Sequence, residues 1–179
     1  MYPNQPSTLR RFFAGITECT FQSRLGVADP ELLDYISDLL VRFVRFDAVC
    51  KIRDLTGRPL TEIAEMLCEA EQRVGNARRD VHRHIGDYAL FWSGVYPESL
   101  RRRQAPPAKD SMLDYCEQGK RAYLIASSIE TDEERERKAP AQVLHRLGQE
   151  FELCVYGLRE VRREWESRDG DHPPTFLIN

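Results

Sequence analysis

The chain lacks a long apolar run, a paired cysteine motif and an excess of charge of one sign. No stretch approaches the ~18 apolar residues needed to cross a bilayer, and the most apolar segment is broken by Asp34, Asp38 and Arg42. The first residues, MYPNQPSTLRRFF, lack the basic segment and the apolar run of about 7 to 15 residues of a secretion signal, so a soluble, cytoplasmic chain without a membrane partner is expected. The five cysteines are scattered and contain no CxxC pair. Zinc and thioredoxin-like sites are therefore unsupported, and each thiol is expected to be a small buried hydrophobe in a reducing compartment. Basic and acidic residues number 26 and 29, a net charge of −3, which favours neither a generic nucleic-acid binder nor an acidic solvating tail.

Catalytic patterns are missing as well. No glycine-rich phosphate loop follows a strand, no GxSxG elbow occurs, and nothing pairs a Cys with a His. A di-iron bundle needs Glu-x-x-His repeats to set two ligands on one helix face, and the chain has none. His82 and His84 sit about 200° apart around a helix and cannot grip one ion together. No metal or cofactor is expected, and enzymatic activity is left open for want of a motif.

What is present is helical periodicity. Leu9, Phe12, Phe13, Ile16 and Cys19 share one face of a helix from about Ser7 to Arg24, ended by Gly26. Asp29 and Pro30 open a second helix running to about Lys51, whose apolar residues cover more than one stripe and mark it as the central element. Thr61 caps a third, with Leu60, Ile63, Leu67, Ala70 and Val74 in register. Gly75 and Asn76 break the pattern, and Val81, Ile85, Tyr88, Trp92 and Val95 form a fourth that ends near Gly94 to Pro97. RRRQAPPAK, near 101–109, is a polar connection. A fifth helix begins at Asp110 or Ser111 and turns Met112, Cys116, Gly119, Tyr123, Ala126 and Ile129 inward. Thr131 and Glu134 fit a capping box, and Pro140 marks a kink or restart.

Leu144, Leu147, Phe151, Cys154, Leu158, Val161 and Trp165 follow gaps of 3, 4, 3, 4, 3 and 4, a seam on a helix of roughly 40 Å. Such a seam needs a long partner, from within the chain, from a second copy or from another helical protein. The tail, 168–179, reads as irregular. No segment alternates as a strand. The fold class is all-α: one antiparallel bundle over 1–179, with about six main helices and a long C-terminal one.

HRHIGDYALFWSGVYPESLRRR, residues 82–103, concentrates the candidate chemistry. Gly86, like Gly15, Gly119, Gly148 and Gly157, lies inside a helical pattern, where glycine costs about 1 kcal/mol relative to alanine. Its presence points to tight helix crossings or to room for a ligand. His84 and Asp87, three apart, can reach one another across a turn. They form either a structural hydrogen-bond pair or part of a pocket for a small apolar ligand, bordered by His84, Asp87, Tyr88, Phe91, Tyr115 and Tyr123. Arg78, Arg79, Arg83, Arg101, Arg102 and Arg103 could form a basic patch, although Glu69, Glu71, Asp80 and Glu98 dilute it and nucleic-acid binding is disfavoured. The segment from Arg58 to Gly86 departs from a helix-turn-helix, since the apolar period runs through CEAEQ to Val74 with no turn of about 3 to 4 residues. The leading expectation is an interaction or regulatory module that self-associates; the alternatives are a small-ligand-binding bundle with its pocket near His84 and Asp87, enzymatic or metal-containing in one form, and nucleic-acid binding through the arginine cluster.

Overall fold

The computed structural model describes residues 8–44 and 49–168. These hold nine α-helices and no strand, so the all-α expectation holds. Helix α1 (Thr8–Thr20) runs into a π turn, Phe21–Leu25, closed by Gly26 at φ +68°. Helix α2 (Pro30–Phe43) opens as its sequence predicts: the Asp29 carboxylate accepts the Glu31 and Leu32 N–H groups at 3.1 and 3.3 Å. It ends at Phe43, earlier than the expected Lys51, and residues 45–48 lie outside the described chain. After α3 (Ile63–Glu71) come α4 (Gly75–Gly94), α5 (Pro97–Arg103), a 3₁₀ turn (Lys109–Met112), α6 (Tyr115–Ser128), α7 (Glu133–Lys138), α8 (Ala141–Gln149) and α9 (Phe151–Arg168). Apart from Arg168, the expected tail at 168–179 lies outside the described residues.

The central rod is α4 rather than α2. Every residue from Ile85 to Val95 is buried, and the helix touches α2, α3, α5, α6 and α9. Small residues make this possible. A Cβ on Gly86 would meet the Tyr123 ring at 2.6 Å, and one on Gly94 would meet the Leu158 Cβ at 2.7 Å. Gly119, Gly148 and Gly157 are crowded in the same way by Phe151, Leu124 and Phe21. Gly15 is the exception, with nothing within 4 Å of its would-be Cβ, so the tight-crossing inference fails there.

Several predicted caps move to other residues. Glu62, not Thr61, precedes α3, and the first N–H groups of α3 are taken by Asp110, 47 positions downstream. Asp110 is therefore buried and spent, and α6 begins later, capped by Asp114 onto the Glu117 N–H at 3.1 Å. Met112, expected inside, is consequently 92 % exposed. At α7 the cap is Asp132, while Thr131 donates to Asn76 at 2.8 Å instead of closing a box with Glu134. The cysteines divide: Cys154 is buried, Cys50 and Cys116 are half-buried, and Cys19 and Cys68 are exposed because they lie on the outer faces of α1 and α3.

The C-terminal seam is fully buried from Leu144 to Trp165, but it bends at Glu150, where α8 gives way to α9. Its partners lie within the chain. Helix α8 packs on α6, and α9 packs on α4 and α1, where Trp165 meets Phe13 edge-on at 5.1 Å. A second copy is not needed to cover it.

Two substitutions test this packing by urea denaturation. Gly86→Ala should cost about 1–3 kcal/mol, because the Tyr123 ring it meets is anchored at its hydroxyl. Gly15→Ala, on open surface, should stabilise by up to about 1 kcal/mol. Equal effects at the two sites would contradict the packing.

Candidate functional site

Asp87 is buried in the middle of α4, 1 % exposed, and its two oxygens are fully engaged. Oδ1 accepts the hydroxyls of Tyr35 from α2 at 2.6 Å and Tyr123 from α6 at 2.8 Å. Oδ2 accepts Arg42 Nη1 from α2 at 2.9 Å, with Arg83 Nε one turn back on α4 at 3.9 Å. Arg83 Nε also donates to the Tyr35 hydroxyl at 3.0 Å. The spacings explain the convergence. Tyr35 and Arg42 are seven apart on α2, and Arg83 and Asp87 four apart on α4, so each pair shares a face.

Burial would raise the Asp87 pKa, but the Arg42 and Arg83 charges and the Tyr35 hydrogen bond outweigh it, and the carboxyl is held below its ordinary value. Burial and the same carboxylate push Tyr35 up to about 12 and Tyr123 well above its usual value, so both stay neutral donors. An ionised carboxylate with every partner in place is neither a free base nor a nucleophile. This is a charge-assisted structural centre.

His84 does not join it. No hydrogen bond links the two side chains among the described residues, and His84 Nε2 is buried with no partner. The imidazole stacks on Phe43 at 5.8 Å. Burial lowers its pKa to about 4; Lys51 and Arg42 act in the same direction, against Asp87 and the Val49 backbone. His82 is also buried, and its pKa is likewise lowered by burial.

Tyr88 and Tyr115 belong to a second centre. Tyr88 donates to the Thr61 carbonyl at 2.5 Å and accepts from Arg103 Nη1 at 2.9 Å, while Tyr115 donates to Asp110 at 2.5 Å. Asp110 in turn holds the Ile63 and Ala64 N–H groups, and Glu62 returns the exchange by accepting the Lys109 N–H. The two rings lie 6.3 Å apart. Phe91, against Phe43 at 5.1 Å, is plain core. The six proposed pocket residues thus divide between two filled polar centres and an aromatic core. None of them lines the surface clefts of about 400, 560 and 120 Å³.

The six arginines are not gathered on one surface. Arg78 faces Glu71 at 3.6 Å, Arg79 is fully buried and donates to the Ala139 carbonyl at 2.7 Å, and Arg83 serves the Asp87 centre. Arg103 lies 3.7 Å over the Trp92 ring, which leaves Arg101 and Arg102 exposed on α5. Sequence reading missed Tyr35, Arg42, Lys51 and Asp110. The seven-residue step from Tyr35 to Arg42 on a half-polar face was the signal for two of them. Among the described residues no group of three or more His, Cys, Asp or Glu side chains could hold a metal, and no helix is long and apolar enough to cross a membrane. In comparisons with known proteins the chain matches no family model, and no curated sequence or solved structure proves similar to it.

The imidazole of His84 fixes a pH dependence. Between pH 6.5 and about 4 the unfolded chain takes up a proton that folded His84 refuses, so stability falls as pH drops through that window. The loss reaches roughly 3 kcal/mol at the acid end. Denaturation at several pH values should show it, and His84→Gln should reduce the slope without abolishing it, since His82 acts in the same sense. An unchanged slope would contradict the assignment.

Proposed function

We propose that this chain is a helical interaction module that pairs with a second copy of itself through the face built around α3. One observation carries the reading: three large apolar side chains, Leu55, Val74 and Met112, are 84–92 % exposed, and all flank α3. Leu55 sits in the turn that holds Asp54 and Arg58, Met112 ends the 3₁₀ turn that begins at Lys109, and Val74 follows α3. The 400 Å³ cleft on α3 is lined by Leu60, Ala64 and Cys68 together with Asp54 and Lys109, which lie next to Leu55 and three residues before Met112 in the chain. Large apolar side chains exposed beside charged ones mark an interaction surface.

The rim carries both signs, with Asp54, Glu65 and Glu69 against Arg58 and Lys109. These charges are paired within the chain, Arg58 with Asp54 and Glu65, Lys109 with Glu65, and Glu69 with Arg73, so they give the face a locally neutral polar border that a two-fold copy can meet without like-charge repulsion. Pairing that varies with concentration gives such a module a regulatory use. The five free thiols, two of them exposed, fit a reducing compartment such as the cytoplasm.

Sedimentation velocity tests the proposal. A dimer should accumulate at about tens of micromolar by mass action. Leu55→Lys combined with Met112→Lys should return the chain to monomer with an unchanged melting temperature, since both side chains are already in water. A strict monomer across that range, or a dimer indifferent to both changes, would overturn it.

A further inference from the structure

Around Asp87 cations outnumber carboxylates. Asp87 is already held by Arg42 at 2.9 Å and receives Arg83 at 3.9 Å. Lys51 follows two residues after Val49, whose backbone is hydrogen-bonded to His84, the neighbour of Arg83 on α4. Asp80 is committed elsewhere, to Arg135 at 3.2 Å, and Glu136, which stands near the neighbouring Arg79, is 3.4 Å from that guanidinium. One carboxylate, Asp87, is thus shared between two guanidinium groups, which leaves the pair with positive charge in excess.

Donors are left over as well as charge. Arg42 Nη2 is buried without a partner, although Nη1 of the same group is bonded to Asp87. Arg83 spends Nε on Tyr35, and its terminal nitrogens make no hydrogen bond among the described residues. The place is reachable at Arg83, whose side chain is 16 % exposed and whose terminal nitrogens are not enclosed, and at Lys51, an exposed residue; 31 % of the Arg42 side chain is exposed, while its Nη2 lies just beneath the surface. Beneath, Tyr35 lies under both guanidinium groups, at 5.7 and 5.3 Å from its ring centre, and holds the fork in place.

We propose that the mouth of the α2–α4 junction is a binding site for an oxyanion, the carboxylate or phosphate group of a small molecule, held by Arg42, Arg83 and Lys51. A guanidinium presents parallel N–H groups that match two oxygens of such a group, and an ammonium adds a charge without a fixed direction. Asp87 and the two tyrosines below act as positioning residues, fixing the arginines before the anion arrives, which lowers the ordering cost of binding. The site is separate from the α3 face and does not depend on it.

The test uses the intact chain, inorganic phosphate and citrate, with sodium chloride at matched ionic strength as control. The His84 imidazole, next to Arg83 in α4 and stacked on Phe43, the neighbour of Arg42, reports occupancy through its NMR resonances. Phosphate, citrate or both should shift these resonances saturably while chloride does not, and which ion succeeds distinguishes a phosphate from a carboxylate head. Lys51→Gln should weaken binding about tenfold, the contribution of one charge-assisted contact. Its melting temperature should stay unchanged, which keeps the result independent of folding. Arg42→Lys, which retains the charge but loses the fork, should weaken it too. Shifts equal to those with chloride, no shift at millimolar concentration, or full affinity in Lys51→Gln would overturn the site.

Discussion

A single ionised carboxylate in the middle of a buried helix constrains this fold more than any other group. Taking Asp87 out of water carries a penalty of several kcal/mol, which only close, well-aligned partners can offset. Those partners come from two other helices: Tyr35 and Arg42 from α2, and Tyr123 from α6. A shift of one turn, about 5.4 Å, in either helix would strip the carboxylate of its donors. The register of three helices is tied to one residue, and Gly86 beside it lets the Tyr123 ring approach closely enough to reach.

Apolar packing supplies the bulk of the driving force and polar exchange supplies the address. The Asp110 centre works in the same way as the Asp87 centre. Its carboxylate caps α3 from 47 residues away, while Glu62 holds the backbone of the 3₁₀ turn in return. The connection at 101–109, which reads as a polar divider, is in fact followed by a residue that stitches the two halves of the chain together. Arg103 belongs to that seam too, lying over Trp92 and bonded to Tyr88.

Periodicity made the helices legible, and with them the C-terminal seam, because a run of 3- and 4-residue gaps needs only local sequence. The breaks were legible where Gly or Pro stands, as at Gly26, Pro30, Gly75 and Pro140. Partnerships between distant residues were not. Tyr35 and Arg42 lie 52 and 45 positions from Asp87, and nothing local announces that they meet. The basic residues misled for a related reason: composition cannot tell an arginine in water from Arg79, fully buried, or Arg103, laid on an indole. His84 and Asp87 were adjacent enough to suggest a pair, yet the carboxylate is saturated by donors from other helices before the imidazole can compete.

The most direct measurement is the unfolding free energy of Asp87→Asn, an isosteric change that keeps shape and removes the charge. It leaves Arg42 and Arg83 beside a neutral amide and exchanges an acceptor for a donor. A loss of about 3–5 kcal/mol by urea denaturation is expected, the usual cost of breaking a buried ion pair from one side. Tyr123→Phe should cost less, about 1–3 kcal/mol, because one hydroxyl is lost and the charge pair stays. A loss below about 1 kcal/mol for Asp87→Asn, within the range of ordinary surface changes, would contradict the role given to this carboxylate.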